Sequence, residues 1–101
     1  MSDQQFIKNY LQDFIEALKP DDDSVESLIQ VRNLLLEVNS NKKKALIFGN
    51  GGSAAIASHF SVDLTKNAKI KCLNFNEASL ITCLANDYGF EHWAEKAVDF
   101  Y

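Results

Sequence analysis

The chain has 101 residues, a formal net charge of −4 at pH 7 and a hydrophobic content of 47%. This length predicts one domain at most, and the apolar content is that of a folded chain rather than of a disordered segment. The negative charge and a sequence pI near 5.0 argue against a nucleic-acid partner, since the one basic run, Lys42-Lys43-Lys44, is best interpreted as a solvated loop.

Neither a membrane segment nor a targeting signal is visible in the sequence. No apolar run approaches the ~20 residues that cross a bilayer, and the polar start, Met1 to Gln5, resembles no secretory or transit peptide. We therefore expect no membrane partner and a cytoplasmic location. Cys72 and Cys83 are interpreted as reduced, buried, small apolar residues, because their spacing is unlike that of a paired-cysteine metal motif.

Two amphipathic helices are predicted ahead of the first strand. Apolar residues at three- and four-residue steps predict a helix from about Asp3 to Leu18, which Pro20 ends. Asp21-Asp22-Asp23-Ser24 supplies an N-cap for a second helix, whose apolar positions between Val25 and Val38 span more than one face. Such width predicts burial on two sides, so we expect packing against other copies of the chain. The polar stretch Asn39-Ser40-Asn41 is interpreted as a loop.

A glycine-rich turn follows these helices. Ala45 to Phe48 predicts a buried strand, Gly49-Asn50-Gly51-Gly52-Ser53 a tight turn, and Ala54 to Lys66 a helix. Such a turn presents unpaired backbone N–H groups at the positive end of a helix dipole, so a phosphate group is the expected ligand.

Two other interpretations of the turn stay open. Gly49, Gly51 and Ala54 match a loose dinucleotide-binding pattern, although Asn74-Phe75-Asn76 follows where a ribose-binding carboxylate would be expected. Ser53 also suits the N-cap of a plain chain reversal.

The remaining residues predict a strand and two helices. Ile70 to Phe75 is typical of a strand, Ser79 to Leu84 of a helix, Asn86 to Gly89 of a turn, and Glu91 to Tyr101 of an amphipathic helix. This alternation predicts an α/β fold with a parallel sheet. Because two strands make a poor sheet, the sequence is typical of the first half of such a domain.

His59 and Asp63 stand four residues apart on the predicted helix after the turn. They project from one face, within joint reach of a metal or of one substrate atom. A pair of this kind is usually a solvated contact. His59, however, lies less than two helical turns beyond Ser53, close enough for one ligand to touch both regions. The other histidine, His92, is interpreted as structural or solvent-facing.

Three ordered motifs resemble those of a known family. FGNGGSAA at 48–55, HFSVDL at 59–64 and ANDYGF at 85–90 are similar to the successive motifs of phosphoheptose isomerases, members of the sugar isomerase (SIS) domain superfamily. The resemblance covers essentially the whole chain and the N-terminal half of the family. It implies an SIS-type, flavodoxin-like parallel sheet sandwiched by helices. Residues 1–101 would be one partial SIS domain, with a helical oligomerisation hairpin at 1–40 and a β-α-β-α sugar-phosphate-binding part at 44–101.

The resemblance also implies roles for individual residues. His59 and Asp63 would be zinc ligands, and Asp63, where the family usually has a glutamate, would be the catalytic acid/base. The residues implied to contact the sugar phosphate are Asn50, Gly51, Gly52, Ser53, Asp63, Asn86 and Asp87. The family's second phosphate loop and its other zinc ligands have no counterpart in this sequence.

Two functions follow from this resemblance. The first is a truncated phosphoheptose isomerase-like protein with little independent turnover, which forms a homo-oligomer. Its reaction would convert sedoheptulose 7-phosphate to D-glycero-D-manno-heptose 7-phosphate for lipopolysaccharide or capsule synthesis. The second is a non-catalytic SIS protein that binds a sugar phosphate or acts as an oligomeric scaffold. Aspartate at position 63 and the missing ligands leave open whether the chain is an enzyme.

Overall fold

The computed structural model describes all 101 residues, which form two compact units, Met1–Asn33 and Leu34–Tyr101. The elements in chain order are α1 (Asp3–Leu18), α2 (Asp22–Ser40), β1 (Ala45–Ile47), α3 (Gly52–Lys66), β2 (Cys72–Asn74), α4 (Ala78–Tyr88), a 3-10 turn (Phe90–His92) and α5 (Trp93–Phe100). None of these helices combines the length and the apolar character that a membrane crossing requires.

Both leading helices form where the sequence predicts them, with their N-termini capped by side chains. The Ser2 hydroxyl accepts a hydrogen bond from the Gln5 N–H at 3.2 Å, and the Asp21 carboxylate accepts one from the Ser24 N–H at 2.7 Å. The second helix continues to Ser40, so the loop predicted at Asn39-Ser40-Asn41 is wrong at its first two residues. No residue of α1 or α2 is buried within the chain, so the two-sided burial predicted for α2 is not found there.

The two strands form a parallel sheet, as the alternation of elements predicts. Ala45 pairs with Cys72, and the register continues to Ile47 opposite Asn74. Each strand has only three residues, so the predicted strands at 45–48 and 70–75 are too long. The β1 side chains are half-buried rather than buried, in a sheet where β1 has a single neighbouring strand. This helix-rich chain is compatible with an α/β fold.

The core of the second unit joins α4 and α5 to the ends of the strands. Its buried residues are Leu84, Trp93 and Ala97, against which Phe48, Phe75, Leu80, Ile81 and Ala94 pack. The ring centroids of Phe48 and Trp93 lie 5.6 Å apart, edge to face. This aromatic contact sets the residue that follows β1 against the start of α5.

Two expectations for the second unit need correction. The predicted turn at Asn86 to Gly89 is helical through Tyr88, and the chain leaves α4 only at Gly89, whose φ of +94° suits a glycine. The predicted burial of both cysteines holds for Cys72 alone. Cys83 is exposed and takes no part in the core around Leu84, Trp93 and Ala97.

Candidate functional site

The glycine turn leads directly from β1 into α3. The helix begins at Gly52, two residues earlier than predicted, and its N-cap is Gly51, with φ +56° and ψ −125°. The Ser53 and Ala54 N–H groups donate to the carbonyl oxygens of Asn50 and Gly51, each at 3.0 Å. Ser53 therefore lies inside the first turn of α3, and its interpretation as an N-cap is wrong.

Three consecutive N–H groups of the turn have no partner within the chain. The amides of Asn50, Gly51 and Gly52 take part in none of its hydrogen bonds, while those of Ser53 and Ala54 are already paired. A Cβ added at Gly51 or Gly52 would meet no atom within 4 Å, so no other part of the chain packs against the turn on that side. Free N–H groups at the positive end of a helix dipole form an anion-binding arrangement.

Gly49 lies on the closed side of the same turn. A Cβ at this position would overlap the Ser53 carbonyl and lie 2.7 Å from the Ala54 nitrogen. Only glycine permits the chain leaving β1 to approach the first turn of α3 this closely.

Asn76, just beyond β2, holds Gly49 from its other side, and Asn74 at the end of β2 holds Asn76. The Asn76 carboxamide accepts from the Gly49 N–H at 3.1 Å and donates to the Gly49 carbonyl at 2.6 Å. Asn74 donates to the Ile47 carbonyl and to Asn76 Oδ1, each at 2.8 Å, and accepts from the Ser58 hydroxyl at 3.0 Å. The sequence motifs predict no part for these asparagines in the site. Their position at the carboxyl end of a parallel strand, beside the turn after β1, is the signal that could have found them.

His59 and Asp63 share one face of α3, as their spacing predicts. His59 Nε2 and Asp63 Oδ2 lie 3.5 Å apart, and Asp63 Oδ1 accepts a hydrogen bond from the Asn67 side chain at 3.4 Å. The side chains are 79% and 49% exposed, in a shallow cavity of about 430 Å³ whose other walls are Ala55, Ile56 and Phe60. The pair thus faces solvent beside an apolar surface.

The residues present do not make a zinc site by themselves. Catalytic zinc is held by three protein ligands and structural zinc by four. No group of three or more His, Cys, Asp or Glu side chains in this chain could hold a metal ion. His59 and Asp63 would supply two ligands at most.

Asn86 and Asp87 lie in the last turn of α4. The Asn86 side chain donates to Asp87 Oδ1 at 3.3 Å, and Cys83 Sγ lies 3.8 Å from Asp87 Oδ2. A cavity of about 260 Å³ beside the glycine turn is lined by Gly49 and Asn50 but not by Asn86 or Asp87. Its opposite wall comes from the next segment, with Phe90, Glu91, Trp93 and Ala94.

The imidazole of His92 lies beside an acidic side chain. Its Nδ1 lies 3.1 Å from Glu95 Oε2, and its side chain is half exposed. This agrees with a structural or solvent-facing role.

The helices, the small parallel sheet and the glycine turn are compatible with an α/β protein that has a candidate phosphate-binding turn. Comparison with known proteins identifies its relatives. The chain is 38% identical over 91 residues to the phosphoheptose isomerase of Helicobacter pylori (strain P12), a match that covers 83% of this chain and 47% of that protein. It is 36% identical over 80 residues to the phosphoheptose isomerase of Neisseria gonorrhoeae (strain NCCP11945), covering 73% and 41% of the two chains. It is also 38% identical over 77 residues to the Fusobacterium nucleatum protein of the same name, covering 71% and 40%.

The chain is therefore a relative of the phosphoheptose isomerases, as its three motifs predict. It spans less than half the length of these curated relatives. No protein-family model and no solved structure matches it.

Proposed function

We propose that this chain is the sugar-phosphate-binding part of a phosphoheptose isomerase, with sedoheptulose 7-phosphate as its substrate. The observation that carries the proposal is the run of three unpartnered amides at Asn50, Gly51 and Gly52, at the start of α3. A phosphate group carries enough negative charge and acceptor oxygens to use all three. The names of the relatives supply the substrate class, which the geometry of the turn accommodates.

The turn would bind the phosphate through its backbone and the sugar through neighbouring side chains. The hydroxyl of Ser53 makes no hydrogen bond within the chain, so it is free to donate to a phosphate or sugar oxygen. Asn50 lines the cavity of about 260 Å³ beside the turn, where the sugar carbons next to the phosphate would lie. Asn86 and Asp87, in the last turn of α4, stay predicted sugar contacts.

The proposed reaction is aldose–ketose isomerisation to D-glycero-D-manno-heptose 7-phosphate, a heptose precursor. One carbon-bound proton moves between two adjacent carbons while a hydroxyl proton moves between their oxygens, so no oxidant or reductant is needed. A carboxylate within reach of the carbon can carry the proton. Asp63 is the candidate because it stands where the resemblance implies the acid/base, and its carboxylate is held by His59 Nε2 at 3.5 Å from Oδ2 and by a hydrogen bond from Asn67.

A zinc ion and a homo-oligomer belong to the proposal because the resemblance implies them. A zinc ion at His59 and Asp63 would need further ligands from outside these residues, and we assign no catalytic step to it. A non-catalytic, scaffold-type role is not favoured, because the relatives reported above are named as isomerases.

Binding and turnover should be measured separately. Titration calorimetry with sedoheptulose 7-phosphate tests the turn, and conversion of the same sugar with added zinc and with a chelator tests catalysis. Asp63→Asn should abolish turnover and keep phosphate binding, whereas the control Asp13→Asn, on exposed α1, should change neither. If the wild-type chain does not bind the sugar phosphate, the proposal is wrong. Binding without turnover would limit the proposed function to sugar-phosphate binding.

A further inference from the structure

We propose that Asn76 is a positioning residue that sets the geometry of the phosphate-binding turn, a role that rests on the function proposed above. Asn76 lies just beyond β2, 27 residues along the chain from Gly49, and its side chain is partly buried. Asn76 is not itself a ligand of the phosphate. Its role is to fix the backbone that carries the three free amides.

The contact between Asn76 and Gly49 has two hydrogen bonds of opposite direction. The carboxamide oxygen accepts from the Gly49 N–H at 3.1 Å, and the carboxamide nitrogen donates to the Gly49 carbonyl at 2.6 Å. One side chain thereby pairs both backbone groups of Gly49, as a neighbouring strand would. This pairing leaves Gly49 N–H unavailable to a ligand and orients the residues that follow it.

Gly49 is also in close contact with the start of α3, so fixing Gly49 fixes the backbone at the start of this helix. Its α-carbon packs so closely on the first helical turn that an added Cβ would overlap the Ser53 carbonyl. Gly49 is therefore held between Asn76 on one side and the start of α3 on the other. A shift of Gly49 would move the free amides at Asn50 and Gly51 relative to the helix dipole.

Asn74 holds Asn76 in the required orientation. Asn74 donates to Asn76 Oδ1 at 2.8 Å and accepts from the Asn76 N–H at 3.0 Å. Its oxygen also accepts from the Ser58 hydroxyl at 3.0 Å, which ties the pair to α3. The donation from Asn74 leaves Asn76 Nδ2, rather than its oxygen, to face the Gly49 carbonyl.

The test compares two variants of Asn76 with a matched control. Asn76→Ala removes both contacts to Gly49, and Asn76→Asp keeps the shape but sets an oxygen against the Gly49 carbonyl. Asn41→Ala, an exposed asparagine before β1, is the control. Sedoheptulose 7-phosphate and inorganic phosphate are titrated into each chain, with folding checked by circular dichroism at the same temperature.

We expect Kd for both ligands to rise about tenfold or more in the two Asn76 variants, because ordered hydrogen bonds at the turn are lost, and to stay unchanged in the control. A folded Asn76 variant with the wild-type Kd and only a lower Tm would overturn the proposal, since it would show a purely structural role.

Amide hydrogen exchange of the wild-type chain decides the question if neither variant folds. The Gly49 N–H should exchange slowly before and after ligand is added, whereas the amides of Asn50, Gly51 and Gly52 should become protected only with ligand. Fast exchange at Gly49 would overturn the positioning role. Slow exchange of the Gly49 N–H in a chain that binds no ligand would overturn the proposed function. The contact between Asn76 and Gly49 would still be established.

Discussion

The hydroxyl of Thr65 closes the outer edge of β2 at Cys72. Thr65 Oγ1 donates to the Cys72 carbonyl and accepts from the Cys72 N–H, both at 3.1 Å. Cys72 is buried, so its backbone groups would otherwise lack partners in the interior. A side chain from the end of α3 thus stands where another strand would pair.

Replacement of Thr65 by valine should destabilise the second unit. The variant keeps the volume but leaves two buried backbone groups unpaired, which we expect to cost about 1–3 kcal/mol in the free energy of unfolding. Thr82→Val is the matched control, because the Thr82 hydroxyl donates only to carbonyls of its own helix, those of Ala78 and Ser79, on the exposed side of α4. Urea denaturation followed by circular dichroism measures both. Equal effects in the two variants would show that the edge contact is unimportant.

Gly49 and Gly52 should respond differently to the same methyl group. Gly49→Ala puts a Cβ into the Ser53 carbonyl, whereas Gly52→Ala meets no atom within 4 Å at a position with ordinary φ. We expect Gly49→Ala to lower the free energy of unfolding by about 1–3 kcal/mol and to weaken phosphate binding. Gly52→Ala should leave stability within about 0.5 kcal/mol of wild type. Equal stability of the two variants, measured by thermal unfolding, would contradict the close packing at Gly49.

Loss of the Trp93 side chain should remove much of the core of the second unit. Trp93 is 4% exposed and meets Phe48 edge to face with ring centroids 5.6 Å apart. Trp93→Ala should cost about 3–5 kcal/mol, a large part of the total for a small domain. Trp93→Phe, which keeps an aromatic contact, should cost less. Urea unfolding followed by circular dichroism separates them, and a smaller loss in the alanine variant would contradict this packing.

Several features follow from local sequence, and others depend on distant residues. Apolar periodicity and Pro20 place α1 at Asp3–Leu18, and the parallel order of β1 and β2 follows from their alternation with helices. The end of α4 does not follow, because polar Asn86 and Asp87 indicate a turn while the helix continues to Tyr88.

The contact of Asn76 with Gly49 could not be predicted from either segment alone. It joins groups 27 residues apart, and its geometry depends on the register of the two strands. By contrast, the glycine turn can be predicted from the sequence, because the residues that form it are consecutive, from Gly49 to Ser53.

The exposed apolar face of α1 predicts self-association. Seven large apolar residues are each more than half exposed there: Phe6, Ile7, Tyr10, Leu11, Phe14, Ile15 and Leu18. A continuous face of this kind is unfavourable in water and is typical of an interface. We expect an oligomer in sedimentation velocity, and Phe14→Glu should shift it towards monomer. Lys8→Glu, which changes charge outside this set, is the control. A monodisperse 11.3 kDa wild-type species would contradict the expectation.

Stability should depend on pH through the cap of α4. The Glu77 carboxylate accepts from the Ser79 N–H at 3.1 Å and the Leu80 N–H at 3.0 Å, and these backbone hydrogen bonds lower the pKa of Glu77 below its usual value. Because the folded-state pKa is depressed, the cap contributes fully above the ordinary glutamate pKa. Its contribution is lost as the pH falls through the lower folded value.

The matched comparison is wild type against Glu77→Gln, which has no titrating group at this position. The wild-type chain should have the higher Tm at pH 7, and the difference should shrink as the pH is lowered from about 5 to about 3. Asp21, whose pKa is also lowered by its hydrogen bonds with Ser24, is present in both chains and cancels from the difference. A Tm difference that is constant or grows on acidification would show that the charged form of Glu77 does not stabilise α4.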